Sequence, residues 1–415
     1  MRLKFAKIKW SVIYLTLLCF IFPKIGEAQL FDLVGDANSI EIPFRYESNF
    51  IIVKVHINGA FPLNFIFDTG AEHTLLFKKT FTDLLGVDYE KQIKIFGSDL
   101  QNYVTAHIVR NMDVRVPPID AVRMDFLVMD EDYMTMDELV GLNIDGILGA
   151  QFFRHHVVKI DYRRGIITLY RKNQMPKPGK RYQPFPVDLK RNKPYVSASS
   201  KMNHIDSAEL TLLLDTGAGI GLMLHSNTHE QINLPDNYIQ TNLGIGIGGE
   251  ITGYVGRISQ FNLSTFSMTN VIVGFQDMHT DHRHKKLVKR NGIIGNQILS
   301  RFTIIIDYPS SMIYMKPEKK FKQKFEYDKS GMTLVASGPY LNQFQVLHVI
   351  DDSPASEVDI QRGDNILRVG MIPTNFYSLS KISRILRRNS GKKISLLIER
   401  DGERMRKTVI LRKLL

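Results

Sequence analysis

The chain has 415 residues, too many for one ordinary core and enough for two or three domains. Its formal charge is +12, but five basic residues and one acidic one lie in residues 1–28, so losing that segment leaves +8. No Lys/Arg block forms a reading surface, which argues against a nucleic-acid partner.

Met1 to Trp10 is basic, Ser11 to Phe22 is an apolar run, and small residues follow near Ala28. This order predicts a signal peptide over 1–28 and an exported chain, periplasmic or secreted. The rival, an uncleaved anchor, meets an apolar run shorter than the roughly 18 residues that span a bilayer, so no stable membrane span is expected after cleavage. Cys19 is the only cysteine and lies inside the run. The mature chain then has no thiol, which excludes disulfides, cysteine catalysis and thiolate metal sites.

Further along, short strands alternate with turn residues. "NFIIVKVHINGAFPLNFIFDTGA" reads as a hairpin through Asn58-Gly59 feeding another strand, and helical periodicity is confined to short stretches near 77–85 and 151–155. The sequence then repeats. "DGILGAQFFRHHVVKIDYRRGIITLY" from Asp145 and "NGIIGNQILSRFTIIIDYPSSMIYMK" from Asn291 share one pattern, with Gly146 mapping to Gly292 and Asp161 to Asp307. Upstream of each, an apolar strand runs into Asp-Thr-Gly-Ala, at Asp68–Ala71 and Asp215–Ala218. The expected domains are an N-terminal lobe over 29–175, a C-terminal lobe over 176–318, a charged linker over 319–330 and a last domain over 331–415. The basic, Pro-containing stretch at 171–186 crosses between the lobes.

A carboxylate placed straight after a buried strand is costly unless something uses it. With two lobes in pseudo-two-fold symmetry, Asp68 and Asp215 face each other and share a proton, because two close carboxylates cannot both ionise. Such a pair can activate a water and protonate a carbonyl. Gly70 and Gly217 let the backbone approach the acids, and Thr69 and Thr216 are placed to hydrogen-bond across the axis.

These features resemble the pepsin- and retropepsin-like aspartyl proteases, in which an apolar-apolar-Gly element, here Ile147–Gly149 and Ile293–Gly295, supports each Asp-Thr-Gly. The resemblance spans about Ile42 to Lys316. It implies a mainly β protein of two homologous β-barrel lobes, an aspartic endopeptidase with Asp68 and Asp215 as the dyad, polypeptide substrates, and no cofactor or metal. Ala at the fourth motif position, Ala71 and Ala218, removes a hydroxyl donor to the acids and predicts a pH optimum less acidic than that of pepsin-like enzymes, above about pH 3. The glycine-rich stretch from Leu243 to Gly256 formally satisfies a dinucleotide pattern at Gly244, Gly246 and Gly249, but alternating strand follows it. It is similar to a retropepsin flap, with Gly246, Gly248, Gly249 and Tyr254 at or near the tip and Tyr103 in the matching stretch of the first lobe.

His279, His282 and His284 read as a solvated loop, with a zinc hydrolase as the rival; no His-Glu-x-x-His motif is present. The last domain resembles a bacterial PDZ module, on Ser353-Pro354-Ala355 and Arg362–Leu367. That implies recognition of peptide C-termini or regulation, with the carboxylate loop at Gly338, Pro339, Tyr340 and Leu341 and the receiving strand from Gln345 to Val349. Val358-Asp359 and Val369–Met371 depart from the usual residues there. A monomer is expected, and the alternative function is an inactive, protease-like peptide-binding protein.

Overall fold

The computed structural model describes residues 37–415 except 61, 100, 132–135, 203–206 and 278–289. The signal-peptide expectation, Cys19 and the three clustered histidines lie outside the described residues. The described chain is mainly β, with two similar lobes followed by a C-terminal β domain.

Each lobe is an eight-stranded sheet, and the strand orders are the same. In the first lobe the order is Arg45–Glu47, Phe50–Ile57, Leu63–Phe67, Gly146–Leu148, Leu75–Leu76, Val122–Met129, Tyr103–Arg115 and Lys91–Phe96. In the second it is Asp188–Lys190, Lys193–Lys201, Ser207–Leu214, Gly292–Ile294, Leu222–His225, Phe266–Gln276, Gly249–Leu263 and Tyr238–Gly246. The first hairpin turns through Asn58 and Gly59, both at positive φ, as an Asn-Gly turn between twisted strands requires. Alternation of apolar residues along these strands buries Phe65, Phe67, Leu212 and Leu214 completely.

A third, six-stranded sheet joins the lobes. Val157–Asp161 pairs antiparallel with Phe302–Asp307, so the two copies of the repeated Ile-Asp-Tyr segment lie side by side at the centre. Flanking them, Ile166–Tyr170 and Ser39–Pro43 come from the first half, Met312–Pro317 and Gln183–Pro186 from the second. The lobes therefore share one continuous apolar core that runs through this sheet, which fixes their relative position.

The C-terminal domain has its own core, built on Phe344, Val346, Ile366, Ile382 and Ile398 among others. Its main sheet order is Met332–Ser337, Gln343–Val349, Asn365–Val369, Lys393–Arg400 and Glu403–Ile410, with the helix Leu379–Leu386 capped by the Ser378 side chain. The expected carboxylate loop needs correcting. Residues 338–341 form the tight turn of a hairpin, with Leu341 N–H donating to Gly338 O at 3.1 Å, and Tyr340 points out at 84% exposure. Strand Gln343–Val349 is paired along its length to Met332–Ser337 and again at Phe344 and Gln345 to the next strand, so it is not an open edge. An added peptide strand needs an edge, and the edge here is Met332–Ser337.

Candidate active site

Asp68 and Asp215 sit at corresponding points of the two lobes. Each follows a strand that pairs in parallel with the apolar-apolar-Gly segment, Phe65–Phe67 with Gly146–Leu148 and Leu212–Leu214 with Gly292–Ile294. Each backbone N–H then donates to that segment, Asp68 to Leu148 O at 3.1 Å and Asp215 to Ile294 O at 3.0 Å. Gly149 and Gly295 close the supporting segments. A Cβ on Gly149 would lie 2.4 Å from His73 O and one on Gly295 would lie 2.5 Å from Ile220 O, so only glycine lets the acid-bearing loop cross there.

The two loops meet across the lobe boundary through their threonines. Thr69 N–H donates to Thr216 Oγ1 at 3.0 Å, and Thr216 N–H donates to Thr69 Oγ1 at 3.1 Å. Each hydroxyl donates onward into the opposite lobe, Thr69 to Leu214 O and Thr216 to Phe67 O, both at 2.7 Å. Both threonines are fully buried, so these four bonds satisfy every polar group they engage.

That frame presses each acid onto the other lobe's glycine. A Cβ on Gly70 would fall 2.5 Å from the Asp215 carboxyl carbon, and one on Gly217 would fall 2.2 Å from an Asp68 oxygen. The two carboxyls are hydrogen-bonded to each other. Burial pushes the Asp68 carboxyl well above the usual carboxylate range, and the negative charge of Asp215 adds to the shift, against N–H donation from Gly70 at 2.6 Å and Ala71 at 3.2 Å. Burial also raises Asp215, but the hydrogen bond from Asp68, the positive charges of Arg290 and Lys193, and Gly217 N–H oppose the rise. Both carboxyls are therefore raised by burial, and the pair holds one proton between them.

Some residues of the site were not singled out from the sequence. Asn296 is fully buried; its Nδ2 donates to Thr216 O at 2.6 Å and to Asn49 O at 2.8 Å, and its Oδ1 accepts from Tyr162 Oη at 2.7 Å. Its counterpart in the first lobe is Ala150, so the signal lay in the one polar difference between the "ILGA" and "IIGN" repeats. Tyr308, in the second Ile-Asp-Tyr, is buried and close enough to Asp68 that its phenol is raised further by that charge.

The two hairpins expected over the cleft are present and their tips touch. Ile247 O lies between Gly246 and Gly248 and accepts from Asp99 N–H at 3.4 Å, while Asn102 Nδ2 donates to Gly248 O at 3.3 Å. Gly248 and Gly249 are at φ +111° and +130°, which makes the turn. Ile247 packs against an apolar group of the first lobe, Phe50, Ile52, Ile66, Phe77 and Ile147 among them, and Gln276 Nε2 donates to Asp99 O at 2.9 Å in the second. Tyr103 stands half-exposed at the base of the first tip, against Phe96. Tyr254 lies further down its hairpin, packed edge-on against Tyr238 and the main core, so it belongs to the hairpin's base.

Residues 53–152 and 202–298 each match the family model described as aspartyl protease. One matched segment falls in each lobe, and the two contain the two Asp-Thr-Gly loops. The match supports a two-lobe aspartyl protease, a hydrolase acting in proteolysis. A search of curated proteins found no match to the chain.

Proposed function

We propose that the protein is an aspartic endopeptidase that cuts extended polypeptides with a water activated between Asp68 and Asp215. The observation that carries the reading is the cross-lobe threonine frame, which holds the two buried carboxyls against each other so that they share one proton. Asp215 takes a proton from the water as its oxygen bonds to the scissile carbonyl carbon, and Asp68 gives its proton to the carbonyl oxygen. The resulting diol passes one hydroxyl proton back to Asp68 while Asp215 protonates the amide nitrogen, and the C–N bond breaks. The dyad is thereby restored, with no covalent intermediate.

In this reading substrate enters by parting the touching hairpin tips, the chain acts as an exported monomer, and the C-terminal domain is a PDZ-like module for recognition or regulation. The test is cleavage of a diverse peptide library by wild type and by Asp215→Asn. Loss of the base is expected to lower the rate by on the order of 10²–10⁴-fold with unfolding temperature retained. A folded wild type that cuts nothing between about pH 3 and pH 8 would instead favour a peptide-binding protein.

A further inference from the structure

The matching strand orders allow the two lobes to be compared position by position. Leu75 lies opposite Ile147 as Met223 lies opposite Ile293, so Phe77 and His225 correspond; their N–H groups donate to Asp145 O at 2.9 Å and to Asn291 O at 2.8 Å. Ile144 and Arg290 immediately precede that aspartate and asparagine. Phe50 and Lys193 each follow a two-residue turn at positive φ, Ser48-Asn49 and Arg191-Asn192. By the same register Ile52 corresponds to Tyr195 and Met129 to Gln276.

All five first-lobe residues are buried and belong to the apolar group beside Asp68 that receives Ile247. All five second-lobe residues carry a polar group. His225 is fully buried, its ring nitrogens meeting only the Gln276 backbone and making no hydrogen bond of good geometry, and Gln276, 3% exposed, leaves Oε1 unpartnered. No side-chain hydrogen bond or ion pair among the described residues engages Lys193 or Arg290. Unmet buried polar groups of this kind are costly in a resting protein, and two cations that make no hydrogen bond or ion pair of their own, with the Asp215 charge between them, leave room for a further negative ligand. Two acids face these cations: Glu72, which pairs with Arg191 at 2.7 Å, and Asp215 of the dyad, which feels the charge of both.

Building on the protease reading, we infer that the second-lobe pocket beside Asp215 takes a glutamate or aspartate side chain of the substrate, while the first-lobe pocket takes an apolar one. The pseudo-two-fold axis passes between the carboxyls, so the residues on either side of the scissile bond face the two equivalent pockets. Substrates are then defined by an apolar residue on one side and an acidic residue on the other, with Arg290 and Lys193 as the specificity residues.

The test uses the full chain and peptides with a fixed apolar residue on one side of the bond and Glu, Gln or Leu on the other. Two readouts are taken, kcat/KM for the cleavable peptides and Kd for reduced-amide analogues that cannot be cut. Glu is expected to exceed its isostere Gln by about tenfold or more in both, since a charge-assisted pair is lost in Gln. Arg290→Ile, which installs the first-lobe residue, and the separate Lys193→Met should each shrink that ratio toward one. A ratio cancels the effect these substitutions have on Asp215 itself, and unfolding temperatures identify a variant that fails to fold. Equal treatment of Glu and Gln, or a preference for Leu, overturns the inference. A Glu preference in Kd without cleavage of any peptide upholds the pocket and removes the protease reading instead.

Discussion

His225 occupies a place where the first lobe has Phe77, and it answers to pH in a way phenylalanine does not. Burial, and then the charge of Arg290, push its imidazole from 6.5 down to about 3, while the nearby Gln276 backbone opposes the shift. Because the folded-state value is depressed, the stability it permits is complete above pH 6.5 and is lost as pH falls through the interval toward 3. Wild type is therefore expected to lose unfolding temperature relative to His225→Phe between pH 7 and about pH 4, and parallel curves would refute this. Asp68 has the opposite sign, its raised carboxyl favouring the folded state at lower pH, so the comparison must be with the His225 variant and not with pH alone. The two acids, their glycines and the threonine pair were legible in the sequence because each is written twice beside an apolar strand. His225, Lys193 and Arg290 were not legible, since their meaning lies in which first-lobe residues they replace, and that needs the strand register.

The strand-loop unit that carries each acid is stabilised mainly by its partner in the other lobe. Thr216 Oγ1 both donates to Phe67 O and accepts from Thr69 N–H, and all of these groups are buried. Thr216→Val keeps the shape and leaves one acceptor and one donor unpaired, so a loss of about 2–4 kcal/mol is expected in denaturant unfolding. A loss under about 0.5 kcal/mol would mean that water replaces the hydroxyl. The hairpins illustrate the other limit of sequence reading. Alternation and the glycine run located both of them, yet nothing local states that Ile247 crosses into the opposite lobe or that Asp99 reaches Gln276. Such contacts are set by the central sheet, where Ile160 lies opposite Ile304 and brings the lobes into register.

At the scale of the whole molecule, the C-terminal domain is fastened to the lobes by several separate contacts. Gly141 of the first lobe packs against Ala336 of the edge strand and Leu379 of the helix, with a Cβ there meeting Leu379 Cβ at 3.2 Å. Ser380 donates to Glu47, and Arg257 on the second hairpin donates to Leu415 O at 3.3 Å. Just before the edge strand, the N–H groups of Ser330 and Gly331 donate to the domain's own Asp328 at 2.8 and 2.7 Å. With those donors spent and the edge strand faced by the first lobe, peptides with a free C-terminal carboxylate are expected to bind the full chain no tighter than their amidated forms by fluorescence anisotropy. A clear preference for the free carboxylate would show that the edge opens.

The meeting of the hairpin tips has a consequence for what gains entry. Ile247 and Asp99 are tethered to the sites they cover, so their hold does not weaken when the protein is dilute and does not yield to a crowd of feeble ligands. On the proposed reading a short peptide that engages one side displaces one tip and leaves the other seated. On the same proposed reading a longer chain that engages both sides displaces the two together, so the resting molecule sorts its visitors by reach before any bond is tested.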